Sequence, residues 1–154
     1  MSLSVTQSES RYIEPKQSDE EHTKELTAFC SSNGIQFIYS PLDVNAYPAK
    51  PEEVCKSLGS LLSIVLDKRN YPLLVHCLKG QHYTGVFAAC IRRLQQWSLT
   101  SIFQEFSHFE KKMHVYDLLI VEMFRVELRV DPSTLPSWIT LDTLNDNPCV
   151  KLVR

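Results

Sequence analysis

Apolar residues alternate with polar ones in short runs of this chain and recur at helical spacing in longer runs. Leu3 and Val5 alternate with polar neighbours, which predicts a short strand near the N-terminus. A second strand is predicted over Gln36–Ser40. The almost wholly apolar run Leu73–His76 predicts a central strand that is covered on both faces.

Five longer segments have the apolar spacing of amphipathic helices. They are Asp19–Asn33, Glu52–Lys68, Thr84–Gln96, Leu99–Phe109 and His114–Leu128. Acidic residues begin the first two segments, where the helix dipole favours negative charge, and Gly34 ends the first. Strands that alternate with helices in this order predict an α/β domain with a mostly parallel sheet.

The character of the chain changes after residue 130. Prolines at 132, 136 and 148 interrupt any regular element in Asp131–Arg154, although Leu135, Trp138 and Ile139 are apolar. We therefore predict one domain over residues 1–130 and a C-terminal tail over residues 131–154. The tail either lies on the domain surface or docks a partner.

Composition and charge narrow the function classes. The 154 residues are 44% hydrophobic, which fits one domain with a substantial core, and the net charge of −2 gives no basic field for nucleic acid. The apolar runs are shorter than the roughly 20 residues of a membrane helix, and the N-terminus lacks a signal-peptide pattern. Because no secretion signal is present, we expect the five cysteines to be free thiols, and because none shows CxxC spacing we expect no structural zinc site. We also expect no cofactor. These features predict a cytosolic or nuclear protein, with the cytoplasm preferred, that does not bind membranes.

The stretch from Leu73 to Gly85, LLVHCLKGQHYTG, carries the clearest candidate chemistry. A predicted strand ends at His76-Cys77, a loop with Gly80 follows, and a helix begins near Thr84. Loop amides and a helix N-terminus would converge beside Cys77, where they can bind an anion and lower the pKa of a thiol. The alternative is that Cys77 is an ordinary buried cysteine.

Several neighbours of Cys77 could contribute to such a site. Lys79 and His82 either face an anion or point to solvent, and Thr84 either caps the helix or donates to the Cys77 sulfur. Glycines permit a loop whose amides turn inward. The predicted phosphate-binding residues are Lys79, Gly80, Gln81, His82, Tyr83, Thr84 and Gly85.

Asp43 is the best candidate for a general acid that protonates a leaving oxygen. It lies in a loop just after the predicted strand Gln36–Ser40. In a parallel sheet this loop would lie at the same edge as Cys77. The alternative is a solvated loop aspartate.

The string HCLKGQHYTG, together with LDKRNYPLLVHC and CIRRLQQWSLTSIFQEF, resembles the plant and fungal atypical dual-specificity phosphatases. The similarity is greatest to their fungal oxidant-induced cell-cycle-arrest proteins and covers Ser2 to Leu128. The loop of this family reads HCxxGxxRTG, and inositol pyrophosphates and phosphotyrosine are among the substrates attributed to it. The resemblance implies a three-layer cysteine-phosphatase-like fold, with a central sheet flanked by helices. It also implies that Cys77 is the nucleophile and that residues 79–85 bind phosphate. We call residues 77–85 the signature loop.

One position departs from the family pattern, because Tyr83 stands where the arginine belongs. Arginine offers a permanently cationic fork to the phosphoryl oxygens, whereas tyrosine offers one neutral hydroxyl. Loss of a single well-placed donor costs roughly 2.7–4 kcal/mol, or about 10²–10³ in rate. Loss of the cation also favours a higher pKa for the Cys77 thiol. We therefore expect hydrolysis to be severely reduced or lost.

These features favour a phosphatase-fold protein that binds a phosphorylated small molecule or phosphoprotein and turns it over slowly, if at all. The alternative is an active phosphatase acting on phosphotyrosine or inositol pyrophosphates through a Cys77 phosphocysteine, with Lys79 or His82 as the cation. A scaffold whose loop binds nothing and a redox sensor at Cys77 are two further possibilities. Related phosphatase-like proteins are possible partners in a complex.

Overall fold

The computed structural model describes residues 2–6, 20–77, 80–110 and 114–153. For residues 2–6, 20–23 and 41 it describes only the main chain. The strands are β1 (Ser2–Thr6), β2 (Ser40–Pro41), β3 (Leu74–His76), β4 (Val126–Leu128) and β5 (Val150–Leu152). The helices are α1 (Glu20–Ser32), α2 (Pro51–Val65), α3 (His82–Leu94), α4 (Leu99–Phe109), α5 (Val115–Glu122) and α6 (Leu141–Asn145). Short 3₁₀ turns lie at Val44–Ala46, Lys68–Asn70 and Pro132–Thr134.

The strands form two sheets. In the first sheet β1 lies between β2 and β3 and is antiparallel to both, and in the second β4 and β5 are parallel. The α/β class is therefore confirmed. Because both are antiparallel to β1, β2 and β3 run in the same direction, as expected for strands joined through a helix. Among the described strands, only β4 and β5 pair in parallel. β2 and β3 do not pair with each other, because β1 lies between them.

Helices α2 and α3 supply much of the core. Pro51 begins α2 at a position that needs no amide donor, and Glu52 and Glu53 suit the positive end of the helix dipole. The helix then buries one face, which comprises Val54, Leu58, Gly59, Leu61, Leu62 and Val65. A methyl group on Gly59 would lie 2.8 Å from Val126 Cγ2, so glycine permits α2 to pack directly on β4.

Residues after 130 are part of the same packed unit. Ile139, Leu144 and Cys149 are buried in the main hydrophobic cluster, and β5 pairs with β4. Asn147 is 3% exposed and donates through Nδ2 to the main-chain carbonyls of Arg93 and Leu94. Packing therefore crosses the predicted boundary at residue 130, and this segment is not a tail lying on the surface.

The helices α1 to α4 are confirmed to within a few residues, whereas three other predictions are wrong. Only Ser40 of Gln36–Ser40 is in a strand. β3 is not covered on both faces, because the Leu74 side chain is 55% exposed. The segment His114–Leu128 is not one helix, since α5 ends at Glu122 and β4 follows. In the described parts of the chain, no helix combines the length and apolarity required to cross a membrane.

Candidate functional site

The signature loop connects β3 to α3. Cys77 directly follows the last residue of β3 and is 4% exposed. Its main-chain carbonyl accepts a hydrogen bond from the Gly80 amide at 3.0 Å. Gly80 has a φ of +64°, a left-handed conformation that glycine adopts at little cost, and this residue turns the chain toward α3. Lys79 lies outside the described residues, so its place at the site stays a prediction.

The first turn of α3 lies next to this loop. Gln81 is the exposed residue at the N-cap, and its side chain does not cap the helix. The amides of the first turn therefore have no side-chain cap from Gln81 and form the positive end of the helix dipole. The Thr84 hydroxyl is buried and has no hydrogen-bond partner among the described residues, so it neither caps α3 nor contacts the Cys77 sulfur. A buried hydroxyl in this condition is a candidate donor to a ligand.

Gly85 is the last residue of the signature loop and already lies inside α3. A methyl group at this position would lie 1.9 Å from Cε2 of Phe106 on α4. The glycine is therefore explained by the close approach of two helices, and the sequence prediction that it turns a loop amide inward is not needed.

Tyr83 is buried beside Cys77 in the main hydrophobic cluster, with only 4% of the residue exposed. Burial raises the pKa of the Tyr83 hydroxyl, and the neighbouring Asp43, Asp117 and Cys77 side chains raise it further. The phenol is thus held neutral in surroundings that contain acidic groups. A guanidinium would bring a positive charge to this position, which the phenol does not supply.

Asp43 lies at the same end of the sheet as the signature loop. It follows β2 after Leu42, is exposed, and its carboxylate accepts from the Asn45 amide at 3.2 Å. Its charge contributes to the raised pKa of Tyr83, so the structure brings Asp43, Tyr83 and Cys77 into one neighbourhood. The carboxylate also caps the 3₁₀ turn that follows it, which fixes its place beside the site.

A buried carboxylate that the sequence analysis missed binds His82. Asp117 is completely buried, and His82 Nε2 lies 2.7 and 2.8 Å from its two carboxylate oxygens. The same carboxylate accepts from the His114 amide at 3.0 Å and so caps α5. The His82 ring therefore does not point to open solvent, and the group that it faces is a carboxylate of the protein itself. The signal in the sequence was an acidic residue three positions after His114 at the start of an apolar run, which is typical of a capping box.

The described part of the site is rich in negative charge. His82 is the only cationic side-chain type among residues 80–85, and a carboxylate binds it. No group of three or more potential metal ligands occurs among the residues that the structure describes. Two cavities, of about 430 and 1190 Å³, lie elsewhere and are lined by neither Cys77 nor residues 80–85. The described part of the site consists of residue 77, residues 80–81 and the N-terminus of α3.

Comparison with known proteins agrees with this architecture. The sequence profile of the "Tyrosine phosphatase family" matches residues 11–142. OCA1 of Debaryomyces hansenii is 34% identical over 131 residues, which cover 79% of this chain and 65% of that protein. The inositol diphosphatase SIW14 of Saccharomyces cerevisiae is 37% identical over 108 residues, which cover 68% of this chain and 37% of that protein. This chain thus spans between about a third and two thirds of the length of these relatives.

A solved structure shows the same fold. It is the core catalytic domain of the PP-IP phosphatase SIW14 from S. cerevisiae in complex with citrate. The TM-score is 0.55 at 33% sequence identity, with 72% of this chain and 63% of that chain covered. The similarity supports the predicted cysteine-phosphatase-like α/β fold and the resemblance to the atypical dual-specificity phosphatases. The chain belongs to the tyrosine phosphatase family.

Proposed function

We propose that this protein binds a phosphorylated small molecule or phosphoprotein at the signature loop and hydrolyses it slowly or not at all. One observation carries the proposal: Tyr83, which the resemblance aligns with the family's arginine, is buried beside Cys77 and has acidic neighbours. Anion binding is supported by the N-terminus of α3 and by the buried hydroxyl of Thr84, which has no hydrogen-bond partner in the described part of the chain. A cytoplasmic location and assembly with related phosphatase-like proteins remain proposals from the sequence.

Weak hydrolysis follows from the charges around the reacting centre. In cysteine-dependent transfer the sulfur attacks phosphorus while negative charge is spread over the equatorial oxygens, and a cation must stabilise them. The buried phenol of Tyr83 supplies no charge, and Asp43 and Asp117 oppose the approach of a dianion. The loop amides can still bind the ligand, because their dipoles do not depend on residue 83.

The alternative is an active phosphatase. SIW14 and its relatives are named inositol diphosphatases, and this chain retains Cys77 with Asp43 nearby. In that reaction the Cys77 sulfur would displace the leaving oxygen, Asp43 would protonate that oxygen, and water would then hydrolyse the phosphocysteine. The missing cation would have to come from Lys79 or His82, and His82 already binds Asp117.

Hydrolysis assays separate the two functions. Wild-type protein, Cys77→Ser and Tyr83→Arg are assayed with an aryl phosphate and with an inositol pyrophosphate. We expect the wild-type rate to exceed that of Cys77→Ser only slightly or not at all. A Cys77-dependent wild-type rate in the range of ordinary enzymes, about 1 s⁻¹ or faster, would establish the active phosphatase instead.

Binding is tested by isothermal titration with tungstate, an oxyanion of phosphate-like charge. Gly80→Ala strains the turn of the signature loop, because Gly80 has a φ of +64°. Gly34→Ala is the matched control, since Gly34 has a φ of +67° and an added methyl group meets nothing at either position. We expect Gly80→Ala to weaken tungstate binding severalfold and Gly34→Ala to leave it unchanged. The absence of binding by wild-type protein would indicate a scaffold whose loop is unused.

A further inference from the structure

A second potential binding site lies between α2 and the β4–β5 sheet, away from the signature loop. A groove with a volume of about 1190 Å³ runs between these elements, and we call it the α2–β5 groove. Its lining includes residues 51, 52, 55, 56, 59, 60 and 63 of α2 together with residues of β4, β5 and their flanks. None of these residues belongs to residues 77–85, so the groove is independent of the proposed function.

The groove is elongated along α2. Its lining residues on the helix extend from Pro51 to Ser63, a rise of about 18 Å at 1.5 Å per residue. An extended peptide of about six residues has the same length, since each residue adds about 3.3 Å. The groove therefore has the dimensions of a site for a short extended segment.

Positive charge dominates the α2–β5 groove although the whole chain has a net charge of −2. The cationic lining residues are Lys56, Arg125, Arg129 and Lys151, and the acidic ones are Glu52 and Glu127. Lys151 pairs with Glu127, whereas Lys56, Arg125 and Arg129 form no ion pair with the carboxylates of the described part of the chain. Three cations are thus available to an anionic partner.

Arg125 is held in place by its neighbours. Its Nη1 donates to the Phe124 carbonyl at 2.7 Å and lies 3.4 Å from the sulfur of Cys149, which is buried at the groove. The guanidinium of Arg93 also donates to this sulfur, at 2.9 Å. A guanidinium that is already oriented loses less side-chain entropy when it binds a carboxylate.

The spacing of the cations distinguishes an extended partner from a compact polyanion. Arg125 and Arg129 are four residues apart around β4, a separation of about 13 Å along an extended chain. The main-chain positions of these cations are thus spread along the strand. Apolar residues lie between and beside them, among them Val126, Val150 and Met123, and Met123 is 57% exposed.

We infer that the α2–β5 groove binds a short, extended acidic segment of a partner protein, whose carboxylates pair with Lys56, Arg125 and Arg129 while its apolar side chains contact the strands. Charge complementarity and groove length both favour this occupant over a compact phosphorylated molecule. Exposed charges of this kind set specificity and association rate, and they make binding sensitive to salt.

Fluorescence anisotropy with defined peptides tests the inference on the full chain. The probe is a labelled six-residue peptide that alternates glutamate with leucine, and the comparison peptide alternates lysine with leucine. We expect the acidic peptide to bind more tightly than the basic one. The double variant Lys56→Glu with Arg129→Glu, the groove pair, should bind the acidic peptide roughly tenfold more weakly than wild type does. Lys24→Glu with Lys68→Glu is the matched control, because both residues are exposed, lie outside the groove and give the same change in net charge.

Three outcomes would overturn the inference. Equal binding of the acidic and basic peptides would remove its charge basis. Equal weakening by the groove pair and the control pair would indicate a nonspecific effect of net charge. Stronger binding of inositol hexakisphosphate than of the acidic peptide, with loss in the groove pair only, would show a compact-anion site. Gly80→Ala should leave peptide binding unchanged, so failure here and failure at the signature loop are separable.

Discussion

Asp117 is the buried carboxylate that joins the start of α3 to the start of α5, and its removal should destabilise the protein strongly. Its bond to His82 is of the kind that contributes about 1.5–3 kcal/mol when one partner is charged. Its bond to the His114 amide caps α5, and loss of a cap costs about 0.5–2 kcal/mol. We therefore expect Asp117→Ala to lower the free energy of unfolding by about 3.5 kcal/mol. At about 2–4 °C for each kcal/mol in a domain of this size, Tm should fall by about 7–14 °C.

Urea unfolding at neutral pH measures this loss. Asp142→Ala is the control, because Asp142 is an exposed acidic residue in the first turn of α6 and should cost less than about 1 kcal/mol. A double-mutant cycle between His82→Ala and Asp117→Ala should give a coupling free energy of about 1.5 kcal/mol or more. Equal effects of Asp117→Ala and Asp142→Ala, or a coupling below about 0.5 kcal/mol, would refute the assignment of Asp117 as the link between the two helices.

Three further predictions concern packing and charge. Gly85→Ala should lower the free energy of unfolding by about 1–2 kcal/mol, and with it Tm, because the clash with Phe106 outweighs the gain in helix propensity of about 1 kcal/mol. A raised Tm would contradict this packing. Asn147→Ala should cost about 2–3 kcal/mol in urea unfolding, since it removes two bonds to the last carbonyls of α3 and one to the main chain at 149; a cost below about 0.5 kcal/mol would show that α3 does not need this anchor. Arg92 holds the pKa of Glu105 below its ordinary value. The ion pair therefore stabilises the fold fully when the pH is above the ordinary pKa of glutamate, and this stabilisation is lost as the pH falls through the lowered pKa of the folded state. Glu105→Gln should therefore be less stable than wild type at pH 7, with a difference that shrinks between about pH 5 and pH 3; a constant difference would contradict the ion pair.

The helices were predictable where local signals agreed. In α2 a proline, two acidic residues and an apolar stripe all indicate the same start and the same buried face. In α4 the Ser98 hydroxyl accepts from the Ser101 amide and so caps the helix one residue before the predicted start at Leu99. Such signals act within one or two turns of a helix, so the sequence alone contains them.

The region after α5 was not predictable in the same way. Val126–Leu128 is apolar enough to continue the helix, and only pairing with Val150–Leu152, 24 residues later, makes it a strand. Short apolar runs do not separate helix from strand without knowledge of the partner. The same pairing draws residues 139–152 into the core, although their prolines indicated an irregular tail.

At the site, the sequence predicted positions better than contacts. It predicted the place of Cys77 after a strand, because this follows from the order of elements, but it began the helix at Thr84, two residues after the start of α3 at His82. It could not predict that Asp117, 34 residues after Tyr83, binds His82 and contributes to the raised pKa of the phenol. Such contacts depend on how α5 packs against α3, which periodicity does not specify.

The most direct test of the central claim is kcat/KM for an aryl phosphate in Tyr83→Arg relative to wild type, with Cys77→Ser as the baseline for each. If Tyr83 is what limits hydrolysis, the arginine should raise kcat/KM by about 10² or more, and the gain should vanish when Cys77→Ser is added. A wild-type kcat/KM that depends on Cys77 and does not increase in Tyr83→Arg would contradict the account.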